Sequence, residues 1–130
     1  MSRIAIYSDQ APKAIGPYSQ AVHMGDLVFL TGQIVLHPEK MELAQGIEAQ
    51  TIQVLENLQA VAQAAGGSFS DVGKLTIYLT DLSHFGVVNE IMSRYFEAPF
   101  PARATVGVSA LALNALVAMD AILVLPQKTG

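Results

Sequence analysis

The sequence predicts an α+β domain built on a mixed β-sheet with two helices packed on one face, and three observations carry that prediction. Segments with strand and helix periodicity follow in the order strands, helix, strand, helix, strands. The length, 130 residues, suits one domain over 1–130 with a sizeable core and leaves little room for a second. The chain is 52% apolar and only 14% charged, against about 25% charged in an average soluble domain.

Arg3–Tyr7 reads as a short strand, and Ser8–Pro17, with two prolines and a glycine, reads as an ordered loop. Ser19–Met24 and Leu27–Gly32 are β-rich runs joined by Gly25-Asp26, a hairpin turn. His37-Pro38-Glu39-Lys40 is a polar turn. Ile47, Thr51, Val54, Leu55, Leu58, Val61, Ala62 and Ala65 then form one helical stripe, ended by Gly66-Gly67. Leu75, Ile77 and Leu79 alternate with Thr76, Tyr78 and Thr80, the period of a half-buried strand. Ser83 is positioned to cap a second helix on which Phe85, Val88, Met92, Tyr95 and Phe96 share a face, with Pro99 and Pro101 beyond its end. Arg103–Ser109 and Leu116–Leu125 are the final strands, linked by a loop around Asn114.

So few charges cannot cover the surface of a domain this small, so the sheet face away from the helices is expected to be covered by other subunits. The uncharged stretch from Ala104 to Met119 is shorter than the roughly 20 apolar residues a membrane span needs, and the first residues lack the pattern of a signal peptide. A cytoplasmic location and no membrane partner are therefore expected. Cysteine is absent, which excludes disulfides, thiolate nucleophiles and Cys-based metal sites. The net charge of −4 and the scatter of the four lysines and three arginines argue against a nucleic-acid surface. His23, His37 and His84 are far apart, so no metal is expected, and neither a phosphate loop nor a nucleophile elbow is present.

What remains for chemistry is arginine, aspartate, tyrosine and backbone. Asp120 interrupts the otherwise apolar run Leu116–Leu125, where desolvation disfavours its ionised form unless partners support it. It is either a functional carboxylate or a strand residue that pairs or faces solvent. Arg103 follows the stiff approach Pro99-Phe100-Pro101-Ala102, and a guanidinium held that way can fork onto a carboxylate. It is equally readable as a surface arginine or as the ion-pair partner of Asp120. Gly16-Pro17-Tyr18 sets a rigid turn before an aromatic ring with a polar tip, and Gly32-Gln33 can open backbone N–H groups to an anion.

Gly16-Pro17-Tyr18-Ser19-Gln20-Ala21, Leu30-Thr31-Gly32-Gln33, Phe85–Asn89 and Pro101-Ala102-Arg103 together resemble the RidA/YjgF family, in its order and spacing across nearly the whole chain. The resemblance implies a chorismate-mutase-like fold, a barrel-like homotrimer, and sites in clefts between subunits. It implies a cofactor-free deaminase that hydrolyses 2-aminoacrylate-type enamines and imines to 2-oxo acids and ammonia. Arg103 would bind the substrate carboxylate, Tyr18 would line the pocket, Gly32 would lend backbone contacts, and Phe85 and Asn89 would help close it. Asp120 matches the place of a water-directing glutamate on the last strand. It is one methylene shorter, which sets its carboxylate about 1.5 Å back. Thr105 stands where many members carry cysteine, keeping a hydroxyl among the substrate-binding groups. A 2-oxo-acid-binding regulatory trimer and a ribonuclease or translation inhibitor are the alternatives. The acidic charge weighs against the latter.

Overall fold

In the computed structural model, which describes residues 2–33 and 36–125, the chain runs β1 (Ile4–Ile6), β2 (Ala21–Met24), β3 (Leu27–Gln33), α1 (Ile47–Ala64), β4 (Val72–Leu79), α2 (Phe85–Met92), β5 (Ala102–Gly107) and β6 (Val117–Val124). The α+β expectation holds: six strands form one mixed sheet in the order β1-β2-β3-β6-β4-β5. Only β4 and β5 are parallel, joined by the α2 crossover, and every other pair is antiparallel.

Glycines set two boundaries. Met24 pairs with Leu27, so Gly25-Asp26 is a two-residue turn, with Gly25 at φ 61°, the position a type II′ turn reserves for glycine. At the end of α1, the Gly67 N–H donates to the Ala62 carbonyl and the Gly66 N–H to the Gln63 carbonyl, both at 3.0 Å. That crossed pair is a Schellman ending, and it needs Gly66 at φ 93°.

The helical stripe and the strand alternation meet in the core. Val54, Leu55, Leu58 and Val61 of α1 are fully buried against Ile77 and Leu79 of β4 and Val117, Met119 and Leu123 of β6. The buried Gln20 ties down the first loop: its Oε1 accepts from the Ser8 N–H at 2.6 Å, and its Nε2 donates to the Ser8 and Pro12 carbonyls at 3.0 and 2.8 Å.

The second helix departs from expectation. Asp81, not Ser83, accepts at the start of the turn Leu82–His84 that leads into α2, taking the Ser83 N–H at 2.9 Å and the Ser83 hydroxyl at 2.7 Å. The carboxylate is the stronger acceptor, and the serine becomes its donor, which holds the Asp81 carboxyl below its usual range. The helix also ends earlier than its stripe suggested. Tyr95 lies in a turn and Phe96 in irregular backbone beyond Met92, yet Phe96 still stacks on Phe69 at 4.6 Å between ring centroids. Phe85 is not a core residue; it is 41% exposed, because it lies on the rim of α2 beside the guanidinium of Arg103.

The sheet face opposite the helices carries Val22, Met24, Leu27, Phe29, Val106, Ile122 and Val124, as the strand registers place them. Leu27, Phe29, Val106 and Val124 are 38–51% exposed, an apolar strip on the uncovered side of a small domain.

Candidate functional site

The strand registers decide which candidates meet. Leu75 pairs with Arg103 and Ile77 with Thr105, so Arg103 and Thr105 share the helix-covered face with the buried Leu75 and Ile77. Thr76 pairs with Asp120, so Asp120 lies on the opposite, uncovered face. The sheet separates the two. They also stand two strands apart, about 9.5 Å at the usual inter-strand spacing. Arg103 is therefore not the ion-pair partner of Asp120, and among the described residues the one salt bridge is the exposed Arg94–Glu90 pair.

Arg103 begins β5 and reaches up to α2. Its Nη1 donates to Asn89 Oδ1 and, at 3.8 Å, to the sulfur of Met92, and the guanidinium carbon sits 5.1 Å from the centroid of the Phe85 ring. Stacking on Phe85 and the Asn89 contact hold the plane of the fork while leaving its other donors open to a ligand. Arg103 lines an open cleft of about 360 Å³ together with Asn89, Met92, Ser93, Phe96, Phe100 and Pro101. Among the described residues no carboxylate lines it.

Asp120 has a different set of neighbours. Tyr78, diagonal to it across β4 and β6, donates its hydroxyl to Asp120 Oδ2 at 2.8 Å. That bond, with partial burial and the nearby negative charge, raises the Tyr78 hydroxyl above its usual pKa. Gly32 lies beside them: a Cβ there would meet the Asp120 Cβ at 4.0 Å, an ordinary contact, so glycine is not forced by crowding and leaves the strand open to approach. Gly32 also borders a small pit with Tyr18, Gln20 and Thr31. Tyr18 closes its own turn, its N–H donating to the Gly16 carbonyl at 2.8 Å and its hydroxyl accepting from the Ile15 N–H at 3.3 Å. The ring is nearly half exposed and walls a second recess toward Phe29 and Arg3.

The seven candidates thus fall into two groups on opposite sides of the sheet. Arg103, Phe85, Asn89 and Thr105 form one; Tyr18, Gly32 and Asp120 form the other. Sequence reasoning missed Tyr78, which reads only as the polar side of an alternating strand. Its signal was the pair Thr76 and Tyr78 on the strand that turns out to neighbour Asp120. No group of three or more His, Cys, Asp or Glu side chains that could hold a metal occurs among the described residues, and no described helix is long and apolar enough to cross a membrane.

The raised Tyr78 hydroxyl has a testable sign. A tyrosine whose folded pKa lies above its unfolded value of 10.0 stabilises the fold fully below that value. The contribution is lost as pH climbs through the folded pKa. In Asp120→Asn the Tyr78 phenolate band near 295 nm moves to lower pH, and the wild-type loss of stability at high pH becomes shallower. An unmoved titration would show that the Tyr78–Asp120 bond does not form in solution.

Residues 8–125 match the family model described as Endoribonuclease L-PSP. The chain is 57% identical over 127 residues to Protein DfrA of Myxococcus xanthus, covering 95% of this chain and 97% of that one. It is 42% identical over 116 residues to the 2-iminobutanoate/2-iminopropanoate deaminase of Dermatophagoides farinae, covering 88% and 91% of the two chains. Among solved structures it resembles RidA of the Antarctic bacterium Psychrobacter sp., with a TM-score of 0.92 and 47% identity over 95% of this chain and all of that one.

Proposed function

This chain belongs to the endoribonuclease L-PSP family, the RidA/YjgF family, and from that premise we propose that it is an imine deaminase of the 2-iminobutanoate/2-iminopropanoate type, acting in the cytoplasm without a cofactor. Relatives named for this reaction support the reading, as the deaminase of Dermatophagoides farinae does. The observation that carries it is the Arg103 fork, set against Phe85 and held by Asn89, lining an open cleft with no competing carboxylate among the described residues. A planar guanidinium with free donors is built to take the carboxylate of a 2-imino acid in two parallel hydrogen bonds.

The two groups of candidates combine if the site lies between subunits. The apolar sheet face calls for a neighbouring copy, and a closed homotrimer brings the Arg103 group of one subunit to the Tyr18–Gly32–Asp120 group of the next. In that site Arg103 orients the substrate and Tyr18 and Gly32 border its other side. Tyr78 holds Asp120 by Oδ2, which leaves Oδ1 to accept a proton from water. The water oxygen bonds to the imine carbon, the C=N electron pair moves to nitrogen, and Asp120 passes the proton taken from water to that nitrogen, giving a carbinolamine. Asp120 then takes the hydroxyl proton and hands it to nitrogen as the C–N bond breaks and the C=O forms, so ammonia leaves and Asp120 ends ionised. The imine carbon is already electrophilic, so no electron sink is required.

An amino-acid oxidase that generates an imino acid in situ tests this directly. Imine disappears faster with the protein than with buffer, and 2-oxo acid and ammonia accumulate in equal amounts. No acceleration across several imines, with 2-oxo acids still bound, would favour the second reading, a carboxylic-acid-binding trimer. That reading draws on the absence of a carboxylate from the Arg103 cleft within one subunit.

A further inference from the structure

The cleft beside the Arg103 fork has room for more than a carboxylate. Its volume, about 360 Å³, falls at the lower end of the roughly 300–1,000 Å³ range of small-molecule pockets and far exceeds the needs of a three-carbon imino acid. Apart from Arg103, Asn89 and Ser93 the wall is apolar: Met92 and Phe96 belong to the buried core, while Phe100 and Pro101 are exposed or half-buried at its opening. Phe96 is fixed by its stack on Phe69, and Met92 by the Arg103 contact at its sulfur, so the floor is preformed. A substrate anchored by its carboxylate at Arg103 has this apolar surface within reach and, among the described residues, no second charge along it. A charged side chain placed there would lose water without gaining a partner.

We infer that this extension is a side-chain subsite and that the enzyme prefers 2-imino acids with branched aliphatic or aromatic side chains over 2-iminopropanoate, an inference that rests on the deaminase reading. Met92, Phe96 and Phe100 are its specificity-determining residues. Each methylene buried in such a pocket raises discrimination by roughly tenfold or more.

The test compares acceleration over the uncatalysed reaction for imines that an amino-acid oxidase makes from leucine, phenylalanine and alanine. Wild type favours the leucine- and phenylalanine-derived imines in kcat/KM by at least about tenfold. Phe100→Ala, at an exposed rim position, lowers that ratio roughly fivefold. Ser93→Tyr, also at an exposed position, fills the cleft beside the fork and lowers it about tenfold or more. Equal acceleration of all three imines, or a ratio that neither variant moves, would overturn the subsite. Failure to accelerate even the alanine-derived imine would instead overturn the deaminase reading, and the subsite with it.

Discussion

Arg103→Ala lowers kcat/KM for imine hydrolysis by on the order of 10³. Two charge-assisted hydrogen bonds to a carboxylate contribute about 1.5–3 kcal/mol each, and about 1.4 kcal/mol is a factor of ten. Arg103→Lys keeps the charge but loses the fork and alters the cation–π contact with Phe85, and it recovers only part of the loss, roughly one factor of ten. Asn89→Ala acts through Arg103: it frees Nη1 and raises KM more than it lowers kcat. Steady-state kinetics in the oxidase-coupled assay, with 2-oxo acid affinity measured alongside, reads all three. Full activity in Arg103→Ala would remove the carboxylate fork from the mechanism.

With the uncovered sheet face as the interface of the proposed homotrimer, Phe29→Glu gives a monomer and abolishes turnover together. Phe29 pairs with Val22 and Ile122 at the centre of the uncovered face, 38% exposed in the single chain. An unpaired carboxylate buried there at each copy costs several kcal/mol, enough to reverse a moderate association. The helix-covered core lies on the other side of the sheet, so the fold itself survives, and far-UV circular dichroism is expected to stay unchanged. Light scattering after size-exclusion chromatography gives the mass. An unchanged trimer mass would show that this face is not the one that associates.

The fold was legible where local chemistry decides it. The stripe from Ile47 to Ala65, the Leu75–Ile77–Leu79 alternation and the Gly25-Asp26 turn are patterns of neighbours, and each appears where expected. What a local pattern does not hold is pairing across the chain. Nothing near residue 120 says that the last strand inserts between β3 and β4, yet that insertion puts Tyr78 beside Asp120. Nor does Pro101-Ala102-Arg103 say which face Arg103 takes. The parallel register with Leu75 decides that, and it sends the arginine to α2 and away from Asp120. Phe85 misled because helical spacing gives an angle and not a neighbour: it stands on the rim, where its partner is a guanidinium. Family resemblance named the same residues and put the site between subunits, but the division into an Arg103 side and an Asp120 side comes from the strand registers.

That separation gives the most direct test of a shared site. Arg103→Ala and Asp120→Ala are purified separately, each essentially inactive, then mixed in equal amounts, dissociated and reassembled. If each site takes Arg103 from one subunit and Asp120 from its neighbour, random mixing leaves about a quarter of the sites with both intact. Turnover of the in situ imine then recovers to about a quarter of wild type. Mixtures that stay as inactive as their parents, although light scattering shows exchanged subunits, would contradict the account: Arg103 and Asp120 would not serve one site across the interface.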